Sequence, residues 1–276
     1  MLGKLLKYEV KAAGKVMPAL YLGIGLVYLL GKLAGVLHIS QMKTGLAVAC
    51  IGIGVASMVL ALIMTILRYA KGLFGAEGYL MQTLPVGKGT LLVSKVITGY
   101  LLILLGVIGF LLGLFGMFDL LQIEGLLEML KAGLGNAALP LLLLFLVFGF
   151  VQLFSSLSAV YFSITLSNTR LFLSNNVLFA VIFYLAGSTV IGLIEIVFML
   201  LLPIGVRLTE SGGVHLVFDS MLLDLLKHPE LMGSNQDPSV FTQMSLGIGS
   251  VIADLAIGIV LLFITRWLLT RKISVK

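Results

Sequence analysis

The sequence predicts an all-α polytopic membrane protein with six transmembrane helices, and three observations carry that expectation. Of its 276 residues, 60% are hydrophobic and only 11% are charged, where soluble domains carry roughly a quarter charged residues. The mean hydropathy is +1.17. The apolar residues also fall into runs of about twenty, the length that crosses about 30 Å of hydrocarbon. A soluble domain with this balance would expose apolar patches far larger than a monomer tolerates, so the solvent for most of the chain is lipid. A single transmembrane domain over 1–276 is expected.

The elements follow in chain order. Residues 1–16, MLGKLLKYEVKAAGKV, place Leu2, Leu5, Leu6, Val10 and Ala13 on one helical side and Lys4, Lys7, Lys11 and Lys15 largely on the other. This pattern suits an amphipathic amino-terminal interfacial helix, or a plain basic anchor ahead of the first span. Pro18 separates it from that span. Six runs are long enough to cross: 17–37, 45–67, 93–118, 137–166, 177–203 and 246–266. The first is too long for a signal-peptide core and lacks a small-residue cleavage site, so no cleavable leader is expected.

Six spans put both termini on one side, and basic residues choose which. With both ends inside, the inner segments hold thirteen: Lys4, Lys7, Lys11, Lys15, Arg68, Lys71, Lys88, Lys95, Arg170, Arg266, Arg271, Lys272 and Lys276. The outer segments hold four: Lys43, Lys131, Arg207 and Lys227. The positive-inside rule then places both termini in the cytoplasm. The net charge of +6 reflects this orientation, and no basic stripe interleaved with aromatics suggests nucleic acid as a partner. Two outer loops carry helical periodicity. In 119–135, Ile123, Leu126, Leu127, Leu130 and Leu134 oppose Glu124, Glu128 and Lys131. In 214–231, Val217, Phe218, Met221, Leu222, Leu225 and Leu226 alternate with Asp219, Asp224 and Lys227. Both read as helices resting on the outer leaflet, the second within an extracytoplasmic helical loop over 204–245.

Catalytic chemistry is sparse. His38, His215 and His228 have no HExxH or cysteine companion, and the single cysteine, Cys50, lies inside an apolar run, so neither a metal site nor an intramolecular disulfide is expected. The serines of 155–167 form no G-x-S-x-G element; they suit close helix packing and bonds to their own carbonyls. Gly87-Lys88-Gly89-Thr90 lacks the upstream glycine and the strand of a phosphate-binding loop. No catalytic residue and no cofactor are expected in this chain. Gly31 with Gly35, and Gly109 with Gly113, are four apart and allow backbones to touch, either within the chain or at a dimer seam. Lys32, Glu195 and Asp254 stand at membrane depth, where a charge is costly unless paired or wet. Two readings stay open: a salt bridge of Lys32 with one of the carboxylates, or a hydrated cavity on a substrate pathway.

The inner loop 68–92 and the residues just after it are the most specific feature. Arg68 to Lys95 reads RYAKGLFGAEGYLMQTLPVGKGTLLVSK. Basic residues, then Leu73-Phe74-Gly75 and Glu77-Gly78-Tyr79-Leu80, then a break at Pro85, suit a short helix with an apolar face and a turn. Leu73, Phe74, Tyr79 and Leu80 facing water need a cover, and a protein surface would supply it. Glu77-Gly78-Tyr79-Leu80, Thr83-Leu84-Pro85-Val86 and Ser94-Lys95 resemble the corresponding loop of bacterial ABC-2 type permeases. The stretch is similar in particular to that of the small six-span permeases of peptide exporters, and the subgroup looks similar to the permeases of the phenol-soluble modulin exporters. Ala76 departs where that pattern often has a second acid, and 87–89 is richer in glycine.

The resemblance covers about a tenth of the chain and implies an ABC-2 exporter-like fold with a coupling helix at 70–80. Leu73, Phe74, Glu77, Gly78, Tyr79 and Leu80 would seat in a groove on a separate cytoplasmic ABC ATPase, with a smaller contact from Arg170 in 167–174. It further implies that ATP and Mg are bound by that partner, that a second permease subunit completes a homo- or heterodimer, and that the substrate path lies between the two. The function implied is export of an amphipathic or hydrophobic substrate, a peptide first of all, across the bacterial plasma membrane by alternating access. A stand-alone secondary transporter or channel is the alternative, although the two halves of the chain show no clear repeat.

Overall fold

A computed structural model of the chain describes residues 3, 6–7, 16–75, 87–122, 138–169, 175–208, 214–218, 220, 222, 226 and 245–271. Most of the expected interfacial helix over 1–16 lies outside these residues. Six helices are long and apolar enough to cross a membrane, the frame of a multi-pass membrane protein. They are α1 (Met17–Val36), α2 (Ser40–Phe74), α3 (Lys88–Leu121), α4 (Ala138–Ser167), α5 (Asn176–Leu201) and α6 (Gly249–Arg271). The chain divides into two compact units. One holds α1 to α3, residues 168–174 and the end of α6 from Thr265; the other holds residues 126–167 and 175–264.

In the first unit, Pro18 sits in the first turn of α1, where its missing N–H has no helical partner to lose. A three-residue turn then reverses the chain. His38 takes φ 55°, and the N–H groups of Leu37, His38 and Ile39 donate to Leu33, Gly35 and Ala34. This satisfies carbonyls that the helix end would leave bare.

α2 and α3 are 35 and 34 residues long, or about 50 Å each at about 1.5 Å per residue. Both therefore outrun a hydrocarbon layer of about 30 Å. They pack antiparallel through glycine. A Cβ on Gly106 would come within 2.6 Å of Ala61 Cβ, and one on Gly113 within 2.6 Å of the Cys50 carbonyl and 3.0 Å of Gly54 Cα, while Gly109 lies against Ser57. The Ser57 hydroxyl donates to the carbonyls of Gly54 (2.7 Å) and Gly106 (3.2 Å). α1 closes the unit around two clusters: Met17, Ala61 and Leu102, and Ala47, Cys50 and Leu120. Tyr21 donates its hydroxyl to the Leu105 carbonyl, and Gly31 lies against Leu120. The glycine pairs are thus occupied within the chain. Gly109 and Gly113 receive α2, Gly31 receives α3, and Gly35 faces the Lys43 stem, which replaces the dimer-seam reading.

In the second unit, the serines of α4 behave as expected, with Ser158, Ser163 and Ser167 donating to Phe154, Ala159 and Ile164. α5 has no fully buried residue, and Leu185, Val190, Leu193, Ile196 and Val197 are all exposed. Such a helix is stable only with lipid or protein around it.

Between α5 and α6 stands a small antiparallel sheet, β1 (Gly205–Leu208), β2 (Val214–Val217) and β3 (Ser245–Gly247), in the order β2-β1-β3. Val206 pairs with Leu216 and Leu246 and is buried. Three sequence expectations change accordingly. Residues 214–217, expected to open an outer helix, form a strand, because their backbone pairs with β1 from Gly205↔Val217 to Leu208↔Val214. Residues 119–121 belong to α3, which ends where Gln122 turns left-handed at φ 56°. The rest of 119–135, and most of 218–244, lie outside the described residues. Finally, a separate helix from residue 70 is not formed, since α2 runs unbroken to Phe74.

Candidate functional site

Residues 76–86 lie between the ends of α2 and α3. They and Arg170 fall outside the described residues, so Glu77, Gly78, Tyr79, Leu80 and Arg170 have no described geometry. The two supports of the loop do. On the α2 side, Tyr69 is buried and meets Phe74 edge-on, with ring centroids 6.2 Å apart. Leu73, expected as an exposed docking contact, is 1% exposed. It faces inward because α2 continues through it, placing it one turn after Tyr69 on the packed side. Leu73 is a core residue, and Phe74 is half-buried. Gly75 ends the helix by donating its N–H to the Lys71 carbonyl at 3.0 Å. A Cβ on Gly75 would come within 2.7 Å of that same oxygen, so glycine fits the turn.

On the α3 side, three cations secure the helix. Lys88 donates to the Leu269 carbonyl at 2.8 Å, near the carboxyl end of α6, where free carbonyls favour a positive charge. The Arg266 guanidinium lies over Gly89, where a Cβ would meet Nε at 3.0 Å. Lys95 is 6% exposed and sets its ammonium over Gly72, where a Cβ would lie 2.8 Å from Nζ. It comes to rest beside the last turn of α2, the end of a helix that attracts a cation. Glycines at 72 and 89 thus make room for charged side chains, and the loop is held at both ends by packed, charge-anchored helix.

The three membrane-depth charges separate into two sites. Lys32 pairs with Asp119 on α3 at 2.5 Å, not with Glu195 or Asp254. Tyr28, one turn before Lys32, donates its hydroxyl to the same carboxylate at 2.9 Å, and its ring lies 5.5 Å from the ammonium. Charge, hydrogen bond and ring together neutralise groups that lipid would penalise.

Glu195 and Asp254 belong to the second unit. Asp254 on α6 is 4% exposed, and its carboxyl faces Glu195 of α5 and Ser155 of α4. Gln152, nearly one turn before Ser155, brings its amide nitrogen to 3.5 Å from Glu195 Oε1. Gly258 fixes the approach, because a Cβ there would strike the Phe154 ring at 2.8 Å. Asp254, one turn earlier on the same face, is thereby aimed at α4.

Among the described residues no group of three or more His, Cys, Asp and Glu could hold a metal ion. His38 lies exposed in the α1–α2 turn and His215 exposed on β2; His228 is outside the described residues. Comparison with known proteins returns no matching family model, no matching curated protein and no matching solved structure.

Sequence reasoning missed Asp119, Gln152, Ser155 and the anchoring role of Lys88 and Lys95. Tyr28 and Lys32, four apart on one helix face, were a signal for a polar partner. Asp119 could have answered it, being the acid closest to the end of the third apolar run.

Proposed function

We propose that the chain is the membrane-spanning permease subunit of an ATP-driven ABC exporter, with both termini in the cytoplasm of a bacterial plasma membrane. The observation that carries this reading is the support of the Glu77-Gly78-Tyr79-Leu80 loop. Two helices about 50 Å long, locked backbone to backbone, deliver it at one end and are pinned there by Lys88, Lys95 and Arg266. A force applied to residues 76–86 would move α2 and α3 as one body, because close-packed interiors transmit displacement rather than absorb it. Motion of that kind suits a bistable helix interface biased by nucleotide in a separate subunit.

In this reading the ATPase binds ATP and Mg, this chain does no covalent chemistry, and a second permease subunit completes the path. The abundant Met, Phe and Leu offer an adaptable wall for an amphipathic or hydrophobic cargo such as a peptide. Leu73 leaves the contact set, and Glu77, Tyr79 and Leu80 remain its centre with Phe74 at its edge.

The test is co-purification with a co-expressed ABC ATPase, the proposed partner. Glu77→Ala combined with Tyr79→Ala is expected to lower recovery of the ATPase about tenfold or more, as for loss of interface anchors worth about 2 kcal/mol, while the permease stays folded. Undiminished recovery and undiminished export would remove the loop from the interface. A second reading, a secondary transporter working alone, draws on a different observation: the buried carboxyl of Asp254 beside Glu195, a feature familiar at ion-coupling sites.

A further inference from the structure

The carboxyl of Asp254 has an oxygen, Oδ1, that is fully buried and has no hydrogen-bond partner among the described residues. Neither Asp254 nor Glu195 has an ion-pair partner among those residues. Arg207 is the one Lys or Arg described in that unit. A buried carboxyl oxygen without a hydrogen-bond partner is costly in any protein and more so between apolar helices. The groups that meet this carboxyl, Glu195 and Ser155, present oxygen, and Gln152 directs its amide nitrogen at Glu195 from behind. They come from three helices at a common place. Glu195 lies about 9 Å from the end of α5 and Asp254 about 8 Å from the start of α6, counting about 1.5 Å per residue. At that end Gly247 lies against the Met199 carbonyl, and Gly249 against Phe198, so α5 and α6 are held together just beyond the cluster.

We propose that Asp254, Glu195 and Ser155, with Gln152 bracing Glu195, form a binding site for one monovalent cationic centre within the membrane. The charge balance sets the valence. Asp254 and Glu195 are two carboxyls hydrogen-bonded to each other, which takes one shared proton, and with no cationic side chain paired to either among the described residues one negative charge is left without a counterpart. The donor set is hard oxygen, which suits an alkali cation or a primary ammonium and disfavours softer transition metals. An inorganic ion and the ammonium of a cargo share this chemistry. The site stands apart from the ABC reading, because an ATP-driven permease and an ion-coupled carrier would satisfy it equally.

The test is thermal unfolding of the purified full chain in nanodiscs, at fixed ionic strength and pH, in sodium, potassium, n-butylammonium or choline chloride. Choline, a bulky quaternary ion without N–H donors, is the reference. At least one of the first three is expected to raise Tm saturably over choline, and Asp254→Asn is expected to abolish the rise. Glu195→Gln is expected to raise the half-maximal concentration about tenfold, as for weakening one charged contact. Stabilisation by sodium or potassium alone identifies an inorganic ion; stabilisation by butylammonium identifies an ammonium-bearing cargo. Equal Tm in all four salts would overturn the proposal, as would a rise that survives in Asp254→Asn. Should Asp254→Asn fail to fold, an unchanged half-maximal concentration in Glu195→Gln would overturn it.

Discussion

Gly113→Leu is expected to unfold the α1–α3 unit at a markedly lower temperature than the wild type. The position has no room for a side chain: its Cβ would come within 2.6 Å of the Cys50 carbonyl and 3.0 Å of Gly54 Cα. Both neighbours are backbone, so no rotamer change relieves the clash, and α2 must move away from α3. Overpacking of this kind costs about 1–3 kcal/mol or more. Separation would also strip Ser57 of its bond to Gly106. In lipid the loss is not recovered by burial elsewhere, since close packing is itself the source of helix association. Gly52→Leu on α2 is the control, because nothing lies within 4 Å of a Cβ there. Thermal unfolding followed by circular dichroism should separate the two variants clearly. Equal stability of Gly113→Leu and Gly52→Leu would mean that α2 and α3 do not meet at this seam.

Leu73→Ala is the second large effect, and it distinguishes a core residue from a docking residue within one short segment. Leu73 is 1% exposed and stands one turn after the buried Tyr69. Truncating such a leucine removes its contacts and leaves a cavity, at about 2–5 kcal/mol. The expected result is a lower Tm for the isolated permease, with ATPase recovery reduced only as far as the folded fraction falls. Tyr79→Ala should do the reverse. If Leu73→Ala leaves Tm unchanged and abolishes ATPase binding, Leu73 is a contact after all and α2 must end earlier than Phe74.

These two residues also show what the sequence could and could not reveal. The six membrane-length helices were legible because hydrocarbon thickness imposes a length and composition that polar loops interrupt. The ends of α2 and α3 were not, since hydropathy falls at Arg68, Lys71, Lys88 and Lys95 while backbone hydrogen bonding continues past them. Hydropathy alone therefore assigns Leu73 to an exposed loop. The sheet escaped notice because β1 pairs with β3 nearly forty residues later, a contact no local period records. Gly109 and Gly113 announced close packing correctly, but a spacing of four names no partner. Lys32, Glu195 and Asp254 were visible as costly charges. Their neighbours were set by how the helices pack, which gave Lys32 to Asp119 and placed Glu195 beside Asp254.

In the proposed mechanism energy enters through residues 76–86 from another protein. The most direct measurement is transport in proteoliposomes containing this chain, with and without the proposed ABC ATPase partner. Export of an amphipathic peptide is expected only with both proteins and with hydrolysable ATP and Mg present, and is expected to vanish with Glu77→Ala and Tyr79→Ala combined. Vigorous solute movement by this chain alone, driven by an imposed sodium or proton gradient, would contradict it.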